Sequence, residues 1–330
     1  MESAAKQTAI EKFIKECNKN YGEGSVMAAT NARQRCDVYS TGSIMIDIAT
    51  GIGGIPRGRL VEIFGPESSG KTTLCLQIAA SCQKNGGTVL YVDDEHALDP
   101  TYAANLGVDL QALIISQPSS AEESLGIIKT ALAVGAFDMI VLDSVAGLTP
   151  QAVIDGDVGD SHVGRVARLM SQNLQHFVSE AAKSNTCLAF INQTREKIGV
   201  MYGSPETTNG GKAIRFYSSM RIHTARTTLN KDGQDVLGNS VKVKIVKNKL
   251  APPFTECEPE ILYGEGFNRE YELVDLASGL GIIEKSGSWY SYDGERMGQG
   301  KDAARQFLLA NPEITDKIEV LVKEQYGISA

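Results

Sequence analysis

The chain has 330 residues, which favours about two domains and a core large enough to need no disulfides. Hydrophobic residues form 42% of it, an ordinary globular proportion that excludes a disordered or fibrous chain. The net charge of −8 argues against a sequence-independent grip on nucleic acid by the surface as a whole.

The cysteines and the lengths of the apolar runs indicate in which cellular compartment the protein is found. The six cysteines are scattered without zinc-site or redox spacing, a pattern typical of reduced thiols in the cytoplasm. No uncharged apolar run approaches the roughly 18 residues of a membrane span. We therefore expect a cytoplasmic protein without a membrane partner.

The first predicted element is a short amphipathic helix over residues 8–18. Its apolar side chains recur at helical spacing, at Ile10, Phe13, Ile14 and Cys17. A terminal helix that is followed by a loop can dock on its own domain or on a neighbouring subunit, and the residues alone leave both options open.

The middle of the chain alternates short apolar strands with segments of helical pattern. We predict strands, each buried on both faces, over residues 60–64, 88–92, 112–115, 139–142 and 187–191. This alternation is typical of an α/β fold with a mostly parallel, doubly wound sheet.

After Gly210 the pattern changes to alternating polar and apolar residues. It predicts two antiparallel strands appended to the sheet, over 220–224 and 241–245, with a turn at 231–233. Beyond about Asn268, short strands near 289–292 precede helices over 301–309 and 315–325, which predicts a small α+β C-terminal domain.

A phosphate-binding loop is predicted between the first of these strands and a helix over 72–83. Its residues match the pattern G-x-x-x-x-G-K-[ST] and are Gly65, Pro66, Glu67, Ser68, Ser69, Gly70, Lys71 and Thr72. Backbone amides of such a loop form an anion nest at a helix N-terminus. Lys71 would reach the β- and γ-phosphates of ATP, and the Thr72 hydroxyl would ligate Mg²⁺.

Carboxylates follow two of the predicted strands. Asp143 ends an apolar strand, which suits a Mg²⁺ ligand beside the phosphate loop. Glu95 follows another strand and is the best candidate to orient or deprotonate a water. A strand-ending aspartate and an acidic turn are also common without any chemical role, so the residues alone leave that alternative open.

The chain lacks the motifs of several other classes of nucleotide-binding protein. The chain has no N-K-x-D tetrapeptide, Asp143 does not begin a D-x-x-G, and no L-S-G-G-Q signature of transporter ATPases occurs. A small-molecule kinase fits the antiparallel extension and the extra domain poorly.

The chain resembles the bacterial RecA recombinase family from about Glu11 to Glu324. The matching stretches are GPESSGKTT at 65–73, DEHALDP at 94–100, DSVA at 143–146, INQ at 191–193, KIGVMYG at 197–203, PETTNGG at 205–211, KNK at 247–249 and ILYGEG at 261–266. Together they are far more specific than a phosphate loop alone.

The resemblance implies an ATPase that forms a helical filament on single-stranded DNA, pairs it with homologous duplex DNA and exchanges strands. An SOS repressor is a further implied partner. The implied organisation is an N-terminal oligomerisation helix and linker (1–33), an ATPase core (34–268) with DNA-binding loops 155–164 and 194–211, and a C-terminal domain for duplex capture (269–330). The N-terminal helix and Phe216 would dock on adjacent subunits.

The resemblance also implies roles in the nucleotide site. Glu95 would activate water, Asp143 and Thr72 would serve Mg²⁺, and Gln193 would sense the γ-phosphate. The remaining implied nucleotide contacts are Thr73, Asp99, Tyr102 and Tyr263. Gln193 ends a buried strand and precedes a long loop, so it could couple phosphate occupancy to the order of that loop.

Two lysines follow the last predicted core strand. The odd-numbered residues of 241–245 form one apolar face, and Lys247 and Lys249 are predicted to continue that face beyond the strand. Two ammonium groups there indicate an anionic partner, although a solvated strand end is the alternative. The resemblance implies that both reach a neighbour's ATP, as arginine fingers do.

The two loops are expected to hold DNA without a strong cationic grip. The first contains three aspartates and no lysine or arginine, so its contacts would be backbone amides and an inserted apolar side chain. The implied DNA contacts, in the loops and just after the first of them, are Val163, Arg168, Ser171, Arg195, Ile198, Thr207, Gly210 and Gly211. Such contacts read no base edges, so binding would tolerate any sequence.

A second basic strip is predicted from Arg226, Lys242 and Lys244, for incoming duplex DNA, with Lys285 and Lys301 helping in the C-terminal domain. Exposed strand lysines are often only solubilising, which is the alternative.

Three departures from the family pattern bear on DNA affinity. Glu196 stands where an apolar residue is usual and Gln175 where a basic one is common, and both should weaken binding or alter its salt dependence. The sequence ends at Ala330 without the acidic tail of many relatives; if such a tail is autoinhibitory here too, its absence would ease duplex capture.

A non-catalytic filament scaffold and a hexameric helicase remain as alternatives. The lysine pair and the C-terminal domain disfavour the helicase.

Overall fold

The computed structural model describes residues 2–22, 25–27, 36–157, 164–196, 206–227 and 238–328. The chain divides into two units, residues 1–37 and 38–330. Within the described residues, no helix has both the length and the apolar character that crossing a membrane requires.

The first unit contains helix α1 (Glu2–Tyr21), which begins earlier than the predicted 8–18. Its additional N-terminal residues are mostly good helix formers without apolar periodicity, so hydrophobic spacing did not detect them. Gly22 follows with a φ of 99°, and the Asn18 side chain accepts a hydrogen bond from the Val26 amide at 2.9 Å. Ile10 and Phe13 are exposed.

The second unit carries the remaining elements. In chain order they are β1 (Val38–Tyr39), α2 (Ile44–Thr50), β2 (Ile55–Pro56), β3 (Leu60–Gly65), α3 (Lys71–Lys84), β4 (Val89–Asp93), α4 (Pro100–Asn105), β5 (Leu113–Ser116), α5 (Ala121–Val134), β6 (Met139–Asp143), α6 (Gln151–Ile154), α7 (Arg165–Ser184), β7 (Cys187–Glu196), β8 (Glu206–Thr208), α8 (Lys212–Tyr217), β9 (Met220–Thr227), β10 (Gly238–Asn248), β11 (Glu256–Cys257), β12 (Glu260–Leu262), β13 (Gly266–Phe267), α9 (Arg269–Gly279), β14 (Glu284–Ser286), β15 (Trp289–Tyr292), β16 (Glu295–Gln299), α10 (Lys301–Ala310) and α11 (Pro312–Gln325).

The main sheet confirms the α/β prediction. Among the described residues its strand order is β13-β12-β10-β9-β3-β7-β6-β4-β5, with β11 paired to β10 and β8 to β7. The six strands from β9 to β5 run parallel to one another. The predicted antiparallel pairing of 220–224 with 241–245 is confirmed, because β10 lies antiparallel to β9. Strand β9 itself, however, lies parallel to its other neighbour β3, so the antiparallel extension of the sheet begins only with β10.

Helices cover both faces of the parallel strands. Successive side chains of a strand point to opposite faces, so Val89 and Tyr91 pack in the cluster that contains α3, whereas Leu90 and Val92 pack with α5 and α7. Burial on both faces is therefore confirmed for β3, β4 and β6.

Strand β5 departs from that prediction. Ile114 is 47% exposed and Ile115 is 43% exposed. The physical reason is position, because β5 is the last strand at one end of the sheet, where fewer neighbouring elements are available to cover it.

The C-terminal segment has its own core and agrees with the predicted small α+β domain. The three-stranded sheet β14-β15-β16 packs with α9, α10 and α11 around Leu273, Met297, Leu308 and Ile318. One buried carboxylate joins this part to the main core, since Glu272 of α9 accepts hydrogen bonds from the Met45 amide at 2.9 Å and the Ser43 hydroxyl at 3.0 Å.

Candidate nucleotide and DNA sites

The phosphate loop lies between β3 and α3, as the sequence predicts. Gly70 has a φ of 82°, and a Cβ at this position would lie 2.5 Å from Ile261 Cδ1, so only glycine fits without strain. The Ser69 hydroxyl donates to the Pro66 carbonyl at 2.8 Å and lies 2.8 Å from the Thr224 hydroxyl. These contacts fix the curvature of the loop before any ligand is bound.

Lys71 is buried in this loop with neutral partners. Its Nζ donates to the Pro66 carbonyl at 2.5 Å and lies 3.5 Å from the Ser69 hydroxyl. Burial lowers its pKa, although the carboxylates of Asp143 and Glu95 oppose that shift. A buried ammonium group with only neutral direct partners suits an anionic ligand such as a polyphosphate.

Asp143, Thr72 and Tyr91 form the oxygen-rich part of the site. Asp143 Oδ2 accepts from the Thr72 hydroxyl at 2.9 Å and from the Tyr91 hydroxyl at 2.6 Å. Burial raises the pKa of Asp143, and these two hydrogen bonds oppose the rise.

This donor set fits Mg²⁺. The described residues contain no group of three or more His, Cys, Asp or Glu side chains that could hold a metal by themselves. Mg²⁺ commonly takes one or two protein oxygens together with substrate phosphates and waters. Thr72 and Asp143, next to the phosphate loop, supply that kind of incomplete protein shell.

Glu95 lies beside this group after β4. The amides of Asp94 and Glu95 donate to the Asp143 carbonyl at 2.8 and 3.3 Å, which holds the acidic turn next to β6. Glu95 Oε1 accepts from the Ser144 hydroxyl and from Gln193 Nε2 at 3.2 Å. Because Glu95 is exposed, water can reach its carboxylate.

Asn192 connects this corner to the C-terminal end of the second predicted DNA loop. Its Nδ2 donates to Glu62 Oε1 at 2.9 Å and to the Asn209 carbonyl at 2.9 Å. Its Oδ1 accepts from the Gln193 amide at 2.9 Å. The sequence alone indicates no role for Asn192 or Ser144, because no local pattern marks contacts between strands that are distant in sequence.

A cavity of about 240 Å³ extends from the phosphate loop. Tyr102 and Tyr263 line it as predicted. Asn239 and Ile261 also line it, although no sequence pattern indicates them. The Tyr102 hydroxyl lies 2.8 Å from that of Thr73. Asp99 is not among the described lining residues; its carboxylate instead caps α4 by accepting from the amides of Thr101 and Tyr102 at 2.8 and 3.3 Å.

The structure corrects the prediction for the lysines near the end of β10. Lys247 lies inside β10, and an irregularity in the pairing with β9 falls between Ile245 and Lys247, so that Ile245 opposes Ile222 but Lys247 opposes Arg221. The extra residue moves Lys247 to the other face of the strand from Ile245. The prediction that Lys247 continues the apolar face is therefore wrong.

The surroundings of Lys247 agree with this placement. Its Nζ donates to the carbonyl oxygens of Arg215 and Phe216, at 2.5 and 3.0 Å, at the end of α8. Phe216 is 72% exposed, and Lys249 is exposed. Burial and the neighbouring cations Lys249 and Arg221 lower the pKa of Lys247.

Comparison with known proteins agrees with this geometry over nearly the whole chain. The family model described as the RecA N-terminal domain matches residues 8–268, and that of the RecA C-terminal domain matches residues 271–327. The chain belongs to the RecA family. It is therefore a recombinase-family protein and a DNA-dependent ATPase that binds nucleotide, acts on DNA and oligomerises.

Individual relatives are similar over almost their full length. Proteins named RecA from Nocardia farcinica and Mycolicibacterium gilvum are 53% and 52% identical over 323 and 326 residues, and one from Halalkalibacterium halodurans is 50% identical over 325. Each alignment covers 98% of this chain and 93% of the relative. The crystal structure of the RadB recombinase has a similar fold, with a TM-score of 0.53 and 22% identity over 70% of this chain and 98% of that one.

Only part of the predicted DNA surface of this RecA family member falls within the described residues. Val163 and Ile198 lie outside them, as does the Glu196 side chain. Arg168 and Ser171 are exposed on α7, three residues apart and hence on one face. Gln175 is exposed further along the helix.

The end of the second loop packs closely against helices. Arg195 of β7 lies opposite Thr207 of β8. A Cβ on Gly210 would lie 2.7 Å from Ile214 Cδ1, and one on Gly211 would lie 2.9 Å from Ala167 Cβ. Gly210 is buried and Gly211 is exposed. Both have a φ of 77°, which favours glycine at these positions whatever their role toward DNA.

The structure also contradicts the prediction that Arg226, Lys242 and Lys244 form a second basic strip. Arg226 opposes Val241 in the β9–β10 pairing, whereas Lys242 opposes Ala225. Opposed residues share a face, so Arg226 lies on the other face of the sheet from Lys242 and Lys244. The three side chains therefore do not form one strip.

The lysines of this region have acidic or aromatic neighbours. Lys242 and Lys244 both approach Glu256, with N–O distances of 3.3 and 3.7 Å. In the C-terminal domain, Lys301 pairs with Asp275 at 2.6 Å and Lys285 lies 5.3 Å from the centre of the Tyr290 ring. Glu256 and Asp275 reduce the charge that Lys242, Lys244 and Lys301 can offer to DNA.

Proposed function

We propose that this chain is an ATP- and Mg²⁺-dependent recombinase of the cytoplasm. It assembles as a helical filament on single-stranded DNA, pairs that strand with homologous duplex DNA and exchanges strands. The same filament would promote self-cleavage of an SOS repressor.

One observation carries the proposal. A continuous series of hydrogen bonds runs from the Glu95 carboxylate through the Gln193 side chain and backbone to the Asn192 side chain, and from there to the Asn209 carbonyl. Asn209 directly precedes Gly210 and Gly211 at the end of a predicted DNA loop. A carboxylate beside the nucleotide site is thus physically connected to a segment expected to touch DNA.

The chemistry assigned to these residues is hydrolysis of the γ-phosphate of ATP. Glu95 accepts a proton from a water while the water oxygen bonds to the γ-phosphorus. The bond between the γ-phosphorus and the β–γ bridging oxygen breaks, which releases ADP and inorganic phosphate. Lys71 and the loop amides hold the phosphates, and Thr72 and Asp143 would hold Mg²⁺, which neutralises phosphate charge. Gln193 donates to Glu95 and would turn to the γ-phosphate, which changes the contacts of Asn192.

Lys247 and Lys249 would complete a neighbour's site. Their ammonium groups would neutralise phosphate charge across a subunit boundary, which requires Lys247 to leave the two carbonyl groups of α8. Bound ATP would thereby strengthen the filament, and assembly on DNA would switch hydrolysis on.

A strand-exchange assay on the full chain tests the proposal. We expect heteroduplex formation that requires ATP and homology, and electron microscopy with a slowly hydrolysed ATP analogue should reveal open helical filaments on single-stranded DNA. Closed rings with unwinding activity would favour a helicase instead. Filaments that pair no DNA would favour a scaffold.

A further inference from the structure

A cleft of about 280 Å³ opens beside the start of α7. Arg165 and Gly164 from the beginning of that helix form one side, Arg195 from β7 forms another, and Gly210 closes a third. Both arginines line the same space, and no aspartate or glutamate occurs among its described lining residues.

The two guanidinium groups are free to take a ligand. Both side chains are exposed, and within the described part of the chain neither has a hydrogen-bond or ion-pair partner. Each guanidinium carries a permanent positive charge and several donors in a planar fork that matches phosphate oxygens. Two such charges facing one cleft in a protein of net charge −8 indicate an anionic ligand.

The position of the cleft favours a phosphate within a polymer over a free one. Arg168 follows Arg165 by three residues, so the two lie on one face of α7, about 4.5 Å apart along its axis. Ser171 continues that exposed face. Apolar side chains, Val145, Leu148 and Val166, line the rest of the cleft and suit a deoxyribose next to the phosphate.

We propose that Arg165 and Arg195 clamp one backbone phosphate of single-stranded DNA in this cleft. The inference deepens the proposed function and rests on it. Arg165, which matches no motif in the sequence, adds a cationic contact at the first turn of α7. It partly offsets Gln175, about three turns further along the same helix, where the family resemblance leads us to expect a basic residue.

The test compares Arg165→Ala with Arg165→Lys and with a matched control, Lys183→Ala. Lys183 is exposed near the other end of α7, so both alanine variants remove one positive charge from the same helix. Binding of fluorescent oligo(dT) is measured by anisotropy at several salt concentrations, in the presence of a slowly hydrolysed ATP analogue.

We expect Arg165→Ala to bind about tenfold more weakly. The plot of log binding constant against log salt concentration should become less steep by about 0.7, the value for one phosphate contact on a single strand. Arg165→Lys should keep the slope and lose part of the affinity, and Lys183→Ala should match the unaltered chain. Unchanged ATP binding without DNA would confirm that each variant is folded and that the phosphate is not that of the nucleotide.

Equal effects of Arg165→Ala and Lys183→Ala would overturn the clamp, because only overall charge would then matter. Weaker ATP binding by Arg165→Ala without DNA would also overturn it. If the unaltered chain itself fails to bind oligo(dT) with the ATP analogue, the proposed function fails and takes the clamp with it. Binding by the unaltered chain separates the two kinds of failure.

Discussion

The pH dependence of unfolding should report on one carboxyl group, Glu272. This side chain is 2% exposed, and its Oε2 accepts hydrogen bonds from the Met45 amide and the Ser43 hydroxyl. Its Oε1 is buried without a partner in the described structure. Burial, reinforced by the nearby Asp47 carboxylate, raises the pKa of Glu272 from 4.5 to about 8, against the opposing effect of its hydrogen bonds.

The sign of the effect follows from proton binding. Between pH 4.5 and about 8 the folded chain holds a proton on Glu272 that the unfolded chain has released, so the free energy of unfolding falls as pH rises. The slope reaches about 1.4 kcal/mol per pH unit in the middle of this window and is smaller near each pKa. The free energy of unfolding therefore falls by roughly 4 kcal/mol across the window. Burial also raises the pKa of Asp47, to about 6, so Asp47 adds a loss of the same sign at lower pH.

Glu272→Gln should remove most of this dependence. Glutamine keeps an acceptor for Met45 and Ser43 and carries no charge at any pH. We expect the free energy of unfolding, measured by denaturant titration with circular dichroism at pH 5 to 8.5, to fall steeply for the unaltered chain and only slightly for the variant. Glu324→Gln, at an exposed position of α11, is the control and should behave as the unaltered chain. The reasoning is wrong if Glu272→Gln retains the full pH dependence.

Three further predictions concern the nucleotide and DNA sites. Gly70→Ala should weaken binding of a fluorescent ATP analogue, because its Cβ would lie 2.5 Å from Ile261 Cδ1 and would displace this side chain in the cavity wall. Gly86→Ala, with a φ of 77° and no atom within 4 Å, should bind normally; equal losses would point to backbone strain alone. Asn192→Asp removes both N–H donors, so DNA stimulation of phosphate release should fall at least tenfold while basal hydrolysis persists, and a proportional loss of both rates would contradict the coupling. Lys247→Met should lower DNA-dependent hydrolysis about 10³-fold, as loss of an arginine finger does, with nucleotide binding by the isolated subunit unchanged; weaker binding there would assign Lys247 to its own subunit's site.

The fold could be predicted where local pattern determines structure. The parallel strands were found because each is a short apolar run between helical segments, and the C-terminal helices because of their spacing. The exposure of β5 and the parallel pairing of β9 could not be predicted, because both depend on where a strand lies in the sheet.

The candidate sites divide in the same way. Lys71, Asp143 and Glu95 follow directly from a motif and from the ends of strands. The contact of Asn192 with Asn209 depends on long-range packing that leaves no sequence pattern. Lys247 and Arg226 were assigned to wrong faces for related reasons, since one extra residue, or a one-residue change of register, moves a side chain to the opposite face.

The net charge of −8 does not exclude DNA binding at a local site. It describes the whole surface, whereas the proposed clamp places two arginines in one cleft beside α7. Because a few such contacts per subunit hold DNA weakly, DNA affinity should depend on assembly more than on bulk attraction. An isolated subunit without nucleotide should bind DNA poorly.

The most direct test of the account is phosphate release by the full chain with and without single-stranded DNA, in parallel with Glu95→Gln. The account predicts strong stimulation by DNA and a loss of about 10²- to 10⁴-fold in the variant, with nucleotide binding retained. Hydrolysis that DNA does not stimulate, or that survives the loss of the Glu95 carboxylate, would contradict it.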